Sequence, residues 1–414
     1  MDKLGRPAPV SVIGMDDGGL ANLGMAATRE LFSADVIYTS RRLAALLPEH
    51  LQENCRLWPS PFALPAADIA ARREAGDSVA VLLSGNPFWH GAGPLLADAI
   101  PAGEMQVYPA PSAFSLAAAR MGWALQEVET FSAHGRPVQR LELHLRPGAR
   151  LLVLTQNETS PLKVARLLIE RGFGQSRMSI LANLGGAAER RIHATAQDVA
   201  QMDEEDIPPL HVLAIEVMPD DEATILPLTP GLADDAFLHD GQITKQTIRA
   251  VTVCALAPLP GQLLWDVGAG NGTVCVEWVR ATRGRARAIA IERDMARCAR
   301  ITENARRLGA LDIEVIEGSA PAALDGLEQP DAIFIGGNAG CDDTFNFCLK
   351  ALKSGGILVA NAVTTQGEAA LHERHRRLGG DLVRLDVSHA APLGGGSAMR
   401  PALPVTQLRL RKQA

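Results

Sequence analysis

One stretch constrains the fold of this chain more than any other: a short apolar run that ends in a glycine-rich turn. The run, residues 263–267, reads Leu-Leu-Trp-Asp-Val, which is typical of a buried strand. Gly268, Gly270 and Gly272 follow at alternate positions, and a helical pattern begins at Val274. Glycines let the backbone approach a ligand closely, and a helix N-terminus offers free N–H groups. The turn therefore predicts a ligand site between a strand and a helix.

The next apolar run adds an acidic residue to this site. Residues 287–291 form a second strand pattern that ends at Glu292, 20 residues after Gly272. An acidic side chain at the end of the second strand can accept hydrogen bonds from both hydroxyls of a ribose. Thr273 stands where the dinucleotide pattern Gly-x-Gly-x-x-Gly has its last glycine, so the turn is not the dinucleotide fingerprint. For Asp266 a plainer alternative stays open, in which it only braces the turn by accepting backbone N–H bonds.

Strand and helix patterns alternate through both halves of the chain, which predicts an α/β fold. In the second half, seven strands are predicted at residues 263–267, 287–291, 313–317, 332–335, 356–363, 382–387 and 404–410. Seven strands with intervening helices fit a doubly wound sheet. The last connection, from Pro392 to Pro401, is rich in glycine and has no helical pattern. We therefore expect the final strand to return like a hairpin and to run antiparallel.

Composition narrows the class of protein. With 414 residues, 47% hydrophobic and 21% charged, the chain has the size for two domains or more and the balance of a globular protein. A net charge of −7 argues against a general nucleic-acid binder. No apolar run approaches the length of a membrane span, and residues 1–7 lack the apolar stretch of a secretory leader. The six cysteines include no Cys-x-x-Cys pair, so we expect reduced thiols in a cytoplasmic protein with no nucleic-acid or membrane partner.

Short motifs in the first half mark a second candidate site. Besides a first strand that ends at Gly14, they are Ser84-Gly85-Asn86-Pro87, Pro111-Ser112-Ala113-Phe114-Ser115 and Phe131-Ser132-Ala133-His134-Gly135-Arg136. This half resembles the tetrapyrrole methylase family. The resemblance implies two α/β subdomains with a methyl donor in the cleft between them, and places Gly14, Gly85, Asn86, Ser112 and Phe114 at the donor. Asn86 departs from the aspartate that is usual in that family, so a charge is lost there.

Motifs in the second half lie before and after the glycine turn in the sequence. They are Asp240-Gly241-Gln242-Ile243-Thr244-Lys245, Glu317-Gly318-Ser319-Ala320-Pro321, Ile335-Gly336-Gly337 and Leu393-Gly394-Gly395. This half resembles the decarboxylating precorrin methyltransferases of cobalamin biosynthesis, which have the class I methyltransferase fold. The resemblance implies that S-adenosyl-L-methionine is held by Gln246, Asp266, Gly268, Gly270, Asn271, Gly272, Thr273, Glu292, Ser319, Ala320 and Gly336. Ser319 and Ala320 keep the alternative of an ordinary helix start.

The two resemblances set the domain organisation and the expected reaction. We expect a tetrapyrrole methylase domain at residues 1–219, a linker at 220–240, and a class I methyltransferase domain at 241–414. The implied enzyme is bifunctional: it methylates two bridge carbons of a precorrin and decarboxylates an acetate side chain. The substrate supplies both the nucleophilic carbon and the electron sink, so no catalytic side chain is assigned. No metal is expected, because residues 372–375, His-Glu-Arg-His, lack metal-binding spacing.

A precorrin carries many carboxylates, which basic side chains would bind. The candidates for substrate binding are Lys245, Arg249, Arg400, His134, Arg136 and His90. Each of the first three keeps the alternative of an ordinary surface charge.

Two other functions stay open. One is an RNA methyltransferase with an accessory domain, although residues 335–338, Ile-Gly-Gly-Asn, lack the Asn-Pro-Pro-aromatic clamp of amino-nitrogen methylases. The other is a non-catalytic protein that binds S-adenosyl-L-methionine or a tetrapyrrole. The resemblance also leads us to expect a homo-oligomer.

Overall fold

A computed structural model describes residues 8–59 and 61–413. The chain forms two compact units. The first runs up to Val138 and continues over Arg146–Thr224; the second consists of Gln139–Leu145 and all residues from Ile225 onward. Residues 1–7, on which the expectation of no secretory leader rests, lie outside the described residues.

The first unit begins with a five-stranded parallel sheet in the order β3-β2-β4-β1-β5. Its strands are β1 (Val10–Met15), β2 (Val36–Thr39), β3 (Cys55–Leu57), β4 (Val79–Ser84) and β5 (Met105–Tyr108). Its helices are α1 (Met25–Phe32), α2 (Arg41–Ala44), α3 (Glu49–Gln52), α4 (Ala66–Glu74), α5 (Gly93–Ala97) and α6 (Ala113–Met121). β1 and β4 are buried almost throughout, which is why both read as continuous apolar runs.

A second five-stranded sheet completes the first unit, in the order β6-β7-β10-β8-β9. Its strands are β6 (Glu129–Ser132), β7 (Arg150–Leu154), β8 (Arg177–Ala182), β9 (Arg190–Thr195) and β10 (His211–Glu216), with helices α7 (Thr159–Glu170) and α8 (Ala196–Val199). Only β6 and β7 pair in parallel; the other neighbours are antiparallel.

The second unit is built on a seven-stranded sheet in the order β13-β12-β11-β14-β15-β19-β16. Its strands are β11 (Leu263–Val267), β12 (Arg287–Glu292), β13 (Ile313–Glu317), β14 (Ala332–Ile335), β15 (Ile357–Ala362), β16 (Asp381–Leu385) and β19 (Val405–Arg411). Its helices are α9 (Gln246–Leu256), α10 (Thr273–Ala281), α11 (Met295–Arg307), α12 (Asp342–Ala351) and α13 (Thr365–Leu378). The predicted doubly wound, seven-stranded sheet is confirmed, and β19 runs antiparallel to both neighbours as expected.

The connection before the last strand was expected to return like a hairpin, and it contains a hairpin of its own. β17 (Ser388–Leu393) and β18 (Gly396–Pro401) pair as a separate antiparallel two-stranded sheet. Most of its residues are exposed, so its sequence carries no apolar alternation that would have identified strands.

The core of the second unit lies on both faces of its sheet. Trp278 is fully buried on one face and Trp265 is 1% exposed on the other. Such rings contribute large buried areas to the core.

The segment predicted as a linker is, from residue 225 onward, part of the second unit. Leu232 and Phe237 are each 3% exposed and belong to its core. The backbone of residues 226–242, here called the strap, is bound by three buried side chains of α10 and α11. Arg280 donates to the carbonyls of residues 226 and 227, Glu277 accepts from the N–H groups of 231 and 232, and Asn304 bonds both backbone groups of 238.

Gln139–Leu145 also belongs to the second unit, which the predicted boundary at residue 219 did not include. Arg140 donates two 2.6 Å hydrogen bonds to the carboxylate of Asp312. Such a bidentate pair, made across 172 residues of sequence, is a long-range contact that no local pattern reveals.

Candidate active site

The carboxyl ends of β11, β12 and β14 lie side by side, and the loops that follow them meet at one end of the sheet. The N–H groups of Gly268 and Ala269 both donate to the carbonyl of Ile291, at 2.9 and 3.0 Å. Gly336 donates to the carbonyl of Val267 at 3.1 Å. These bonds join the glycine turn after β11 to the ends of β12 and β14. Ligands of open α/β sheets bind at this end.

The three glycines of the turn serve different purposes. All have positive φ, of 72°, 61° and 77° in chain order, which favours glycine. A Cβ on Gly268 would lie 3.0 Å from Cα of Gly337, and one on Gly272 would lie 2.8 Å from the Ile301 side chain. A Cβ on Gly270 would find its nearest described atom, a backbone carbonyl oxygen, 3.9 Å away. Gly268 and Gly272 are thus also required by packing, whereas Gly270 borders open space that a ligand can occupy.

Glu292 links this turn to the start of α11. Its Oε2 accepts from the N–H of Gly270 at 2.8 Å, and its Oε1 accepts from the N–H groups of Arg293 and Asp294 at 2.9 and 3.0 Å. The residue is 5% exposed. A carboxylate has about four acceptor directions, so one remains for a ribose hydroxyl. A second hydroxyl must share or replace one of the backbone donors.

Asp266 lies beneath the turn and is 1% exposed. Its Oδ2 accepts from the N–H of Cys275 at 3.1 Å, which braces the start of α10 as the plainer alternative proposed. Its Oδ1 is buried without a hydrogen-bond partner among the described residues. Burial raises the pKa of Asp266 from 3.8 to about 7, because the charged form is costly away from water.

The side chains of Asn271 and Thr273 point into the protein, being 2% and 3% exposed. The amide of Asn271 donates to Asp240 Oδ1 at 3.1 Å and to the carbonyl of Gln242 at 2.8 Å. The Asn271 side chain therefore holds the end of the strap, and the contact of this residue with the donor stays a prediction.

Ser319 and Ala320 follow β13, the strand beside the one that ends at Glu292. Gly318 donates to the carbonyl of Glu292 at 2.9 Å, and the carbonyl of Ser319 accepts from Ala323 at 3.0 Å at the start of a helical turn. The two residues therefore lie in a loop beside the predicted donor site, and they also begin a helical turn. Both interpretations of this pair stay compatible with its position.

The expectation that Arg249 binds substrate is wrong. Its side chain is fully buried, and it donates to Glu277 Oε1 at 2.7 Å, to Asp234 Oδ1 at 3.0 Å and to the carbonyl of Thr244 at 2.5 Å. It also donates to the carbonyl of Leu232. An arginine with these partners holds the strap against α9 and α10, and has no exposed surface for a ligand.

Lys245 and Arg400 are exposed, as substrate-binding residues must be. Lys245 precedes α9, and its side chain is 58% exposed, with Nζ 3.6 Å from Asp234 Oδ2. Arg400 lies on the exposed hairpin strand β18. The amide of Gln246, predicted at the donor, donates to the carbonyl of Gly231 at 2.9 Å.

In the first unit, Gly14 lies near the end of β1, where the loop after β4 passes close to it. A Cβ on Gly14 would collide with the carbonyl oxygen of Gly85 and lie 2.7 Å from the backbone nitrogen of Ala110. Gly85 has a φ of 59°. Gly14 is therefore required by the close approach of the segments after β4 and β5 to β1, whether or not a ligand lies beside them.

The polar groups at these loops differ from the family pattern. Asn86 uses its Oδ1 to accept from the N–H of Phe88 at 3.0 Å. Arg42, which the sequence did not single out, donates to both Asp17 and Ser84 and so joins the loops after β1 and β4. Arg42 thus links the carboxylate of Asp17 to Ser84, whereas Asn86 supplies no carboxylate.

Ser112 and Phe114 belong to the start of α6. Ser112 caps the helix by accepting from the N–H of Ser115 at 3.1 Å. Phe114 is 1% exposed and packs in the core, with ring centroids 6.4 Å from Trp89 and 5.7 Å from His90. Its ring is therefore part of the core, and the contact of Phe114 with the donor stays a prediction.

His90, His134 and Arg136 are all exposed, as the substrate expectation requires. Partial burial, followed by the positive charge of Arg136, lowers the pKa of His90. Their electrostatic coupling places these two groups near each other although 46 residues separate them.

Asp240 and Arg297 are site residues that the sequence analysis did not assign. Arg297 Nε donates to Asp240 Oδ2 at 2.8 Å and its Nη2 donates to Gln242 Oε1 at 2.7 Å. The motif at residues 240–245 is visible in the sequence, but its partners on α11 lie more than 50 residues away.

Within the described part of the chain, no group of three His, Cys, Asp or Glu residues is placed to hold a metal ion. No helix in residues 8–59 or 61–413 is long and apolar enough to cross a membrane.

Comparisons of the sequence with known proteins show which families this chain resembles. The precorrin methyltransferase domain family matches residues 235–412, and the tetrapyrrole (corrin/porphyrin) methylase family matches residues 9–200. A Sinorhizobium sp. protein named precorrin-6Y C(5,15)-methyltransferase [decarboxylating] is 48% identical over 406 residues, covering 97% of each chain. A Salmonella typhimurium protein named cobalt-precorrin-6B C(15)-methyltransferase (decarboxylating) is 30% identical over 190 residues, covering 44% of this chain and 96% of the relative.

A solved structure also matches. The crystal structure of the C-terminal domain of precorrin-6Y C5,15-methyltransferase from Rhodobacter capsulatus is 40% identical, with a TM-score of 0.43, and covers 45% of this chain and 100% of that chain. The sequence identity to the Sinorhizobium relative extends over both units. The chain therefore belongs to the family of decarboxylating precorrin-6Y C5,15-methyltransferases.

Proposed function

We propose that this chain is a bifunctional methyltransferase of cobalamin biosynthesis. It uses S-adenosyl-L-methionine to methylate bridge carbons 5 and 15 of a precorrin, and it decarboxylates an acetate side chain. The observation that carries the proposal is the pair formed by Gly270 and Glu292: the turn is bonded to a buried carboxylate at 2.8 Å, and open space borders the glycine. The near-complete match to a relative of that name supports the reaction.

The residues of the second unit suit this donor. Glu292 presents a carboxylate to ribose hydroxyls, and Gly270 lets the backbone approach the donor closely. Asp266 Oδ1, buried and unpartnered among the described residues, offers an acceptor beneath the turn. When bound, S-adenosyl-L-methionine supplies an electrophilic methyl group on a positively charged sulfur. The work of these residues is to orient that methyl group toward the bridge carbon and to exclude water.

The substrate carries the remaining chemistry. A bridge carbon of a hydroporphyrin is nucleophilic, like the carbon of an enamine, and forms the new C–C bond as the C–S bond breaks. Methylation leaves a cationic, conjugated imine beside the ring. The acetate side chain then loses carbon dioxide, and the electron pair of the broken C–C bond neutralises that cation. No side chain of the enzyme has to act as nucleophile.

We assign the two methylations to different units. The Salmonella relative, whose name combines C(15) methylation with decarboxylation, covers 44% of this chain, about the extent of one unit. We place these two events in the second unit and the other methylation in the first, with a second donor molecule near Gly14 and Gly85. Lys245, Arg400, His90, His134 and Arg136 are our candidates for holding substrate carboxylates.

The proposal also includes the assembly, the compartment and the partners of the enzyme. We expect a homo-oligomer in the cytoplasm with no nucleic-acid or membrane partner. Net charge and the scattered cysteines support the compartment and the absence of those partners, and the homo-oligomer follows from the family resemblance.

The test is whether carbon dioxide release depends on the donor site of the second unit. Gly270→Val adds a branched side chain where φ is 61° and where the donor would lie. With precorrin substrate and labelled donor, this variant should lose one methyl transfer and all carbon dioxide release. Gly355→Val is the matched control, because Gly355 has a φ of 78° and open surroundings but precedes β15 at the opposite end of the sheet. Carbon dioxide evolved by Gly270→Val, or without donor, would contradict the coupling.

A further inference from the structure

The end of the strap, residues 240–242, lies against the glycine turn of the second unit. We propose that Asp240 is a positioning residue for the donor site, which fixes the turn after β11 and the start of α11 relative to each other. The inference rests on the proposed use of S-adenosyl-L-methionine. It adds to the site a residue that does not itself contact the donor.

The carboxylate of Asp240 accepts from two different elements. Oδ1 accepts from the amide of Asn271, in the glycine turn, at 3.1 Å, and from the N–H of Gln242 at 3.1 Å. Oδ2 accepts from Arg297 Nε at 2.8 Å and Arg300 Nη1 at 3.3 Å, both on α11. Four donors on one carboxylate occupy all of its acceptor directions. Asp240 therefore has no capacity left for a ligand and acts through its neighbours.

Glu292 connects the same two elements. It bonds Gly270 in the turn and the N–H groups of Arg293 and Asp294 at the entry of α11. A ribose that takes over acceptor directions of Glu292 weakens this connection at the moment of binding. Asp240 makes an independent connection one helical turn further along α11, at Arg297. It can therefore keep the turn and the helix in place while Glu292 turns to the ribose.

The strap also places a wall beside the donor. The nearest described atom to a Cβ on Gly270 is the carbonyl oxygen of Gln242, at 3.9 Å. Asn271 and Arg297 hold Gln242 by its carbonyl and its side chain. Loss of Asp240 removes the anion around which these donors gather, so the wall should lose its fixed position.

The effect should be local. Further back, Asn304 is fully buried and bonds both backbone groups of Leu238, and it also donates to the carbonyl of Asn271. These bonds do not involve Asp240. Its ion pair with Arg297 is about one-quarter exposed on each side, and such pairs add little to folding stability. Hydrogen bonds from Asn271 and Arg297 hold the pKa of Asp240 below its ordinary value, so Asp240→Asn changes the charge at neutral pH.

The experiment uses the full chain and S-adenosylhomocysteine as the probe, in isothermal titration calorimetry. Asp240→Asn should weaken the site that Glu292→Ala also weakens, by about tenfold or more, and leave the other site and the melting temperature unchanged. In steady-state assays the variant should raise KM for the donor more than it lowers kcat. Arg297→Lys, which keeps the charge but loses the bond to Gln242, should show a smaller change in the same direction. Glu328→Gln is the matched control, since Glu328 pairs with Arg287 at the opposite end of the sheet.

The outcomes separate this inference from the proposed function. If Glu292→Ala weakens donor binding but Asp240→Asn and Arg297→Lys do not, Asp240 has no positioning role. An equal change from Glu328→Gln would show a general effect of charge and would also overturn the inference. If the wild-type chain binds no probe at the site sensitive to Glu292, the proposed function fails and the inference fails with it. Should Asp240→Asn not fold, Arg297→Lys alone decides between these results.

Discussion

Replacing Arg249 by methionine distinguishes a buried structural role from a substrate-binding role. Methionine keeps the length of the apolar stem and can remain over Phe237, where the guanidinium now lies 4.7 Å from the ring centroid. It removes every hydrogen bond that Arg249 donates. The carboxylate of Glu277, 2% exposed, then keeps only the N–H groups of residues 231 and 232. The carbonyls of Thr244 and Leu232 lose the donor that this side chain supplies.

The magnitude follows from these losses. Removing one partner of a buried ion pair costs about 3–5 kcal/mol, because the other charge remains in a low-dielectric interior. In a domain of this size, each kcal/mol corresponds to about 2–4 °C in Tm. The thermal transition of the second unit should therefore fall by roughly 6–20 °C. Lys245→Met removes an exposed charge that is 3.6 Å from Asp234, and it should change stability by less than about 1 kcal/mol.

Differential scanning calorimetry of the full chain measures both variants, and steady-state kinetics with precorrin measures KM. A double variant, Arg249→Met with Glu277→Gln, should lose less stability than the two single variants together, since it leaves no unpaired charge. The reasoning is refuted if Arg249→Met melts with the wild-type transition while KM for the precorrin rises. That result would mean that the arginine is available to the substrate.

Two further predictions concern the donor sites. The first is a pH dependence: burial raises the pKa of Asp266 to about 7, so the folded state keeps its proton while the unfolded chain releases one as the pH rises above 3.8. The contribution of this group to the free energy of unfolding should be fully present below about pH 4 and lost by about pH 8. The total loss should be on the order of 4 kcal/mol. Denaturant unfolding of wild type and Asp266→Asn across this range checks it, and parallel curves would exclude it. The second is a stoichiometry: calorimetric titration with S-adenosylhomocysteine should find two sites per chain. Glu292→Ala should weaken one of them by tenfold or more, since charge-assisted hydrogen bonds contribute about 1.5–3 kcal/mol; a single site in the active chain would count against it.

The seven strands of the second unit were predictable because their signals are local. A buried strand in a parallel sheet is a continuous apolar run bounded by polar or glycine residues, and residues 263–267 and 332–335 match the observed strands. Residues 313–317 match as well, although this strand contains two glutamates and none of its residues is fully buried. The hairpin at Ser388–Pro401 has no such run because it is exposed. The short strand β3 has three residues, none of them buried, and has no apolar signal either.

Arg249 shows why a residue with a distant partner in the sequence is difficult to assign from local sequence alone. Its charge favoured a surface site, but helical spacing pointed the other way, since Thr252, Val253 and Leu256 lie on the same face of α9 and are buried. The helical period alone could have assigned Arg249 to the core. The carboxylate that makes this burial tolerable, Glu277, lies 28 residues away on α10, and nothing in the sequence identified it as the partner.

The two candidate donor sites differ in how far a sequence can define them, and the reason is physical. In the second unit, Gly270 and Glu292 follow neighbouring strands, and parallel pairing of β11 with β12 brings their ends together. Their spacing is therefore enough to predict that they meet. In the first unit, Gly14 lies in β1 and Gly85 follows the neighbouring strand β4, with Met15 paired opposite Ser84, but there the close approach of the loop after β4 already requires glycine at Gly14. A motif whose residues are needed for the fold is not by itself evidence for a bound ligand. The assignment of the first donor site therefore rests mainly on the titration with S-adenosylhomocysteine, whereas the second is also supported by Gly270 and Glu292.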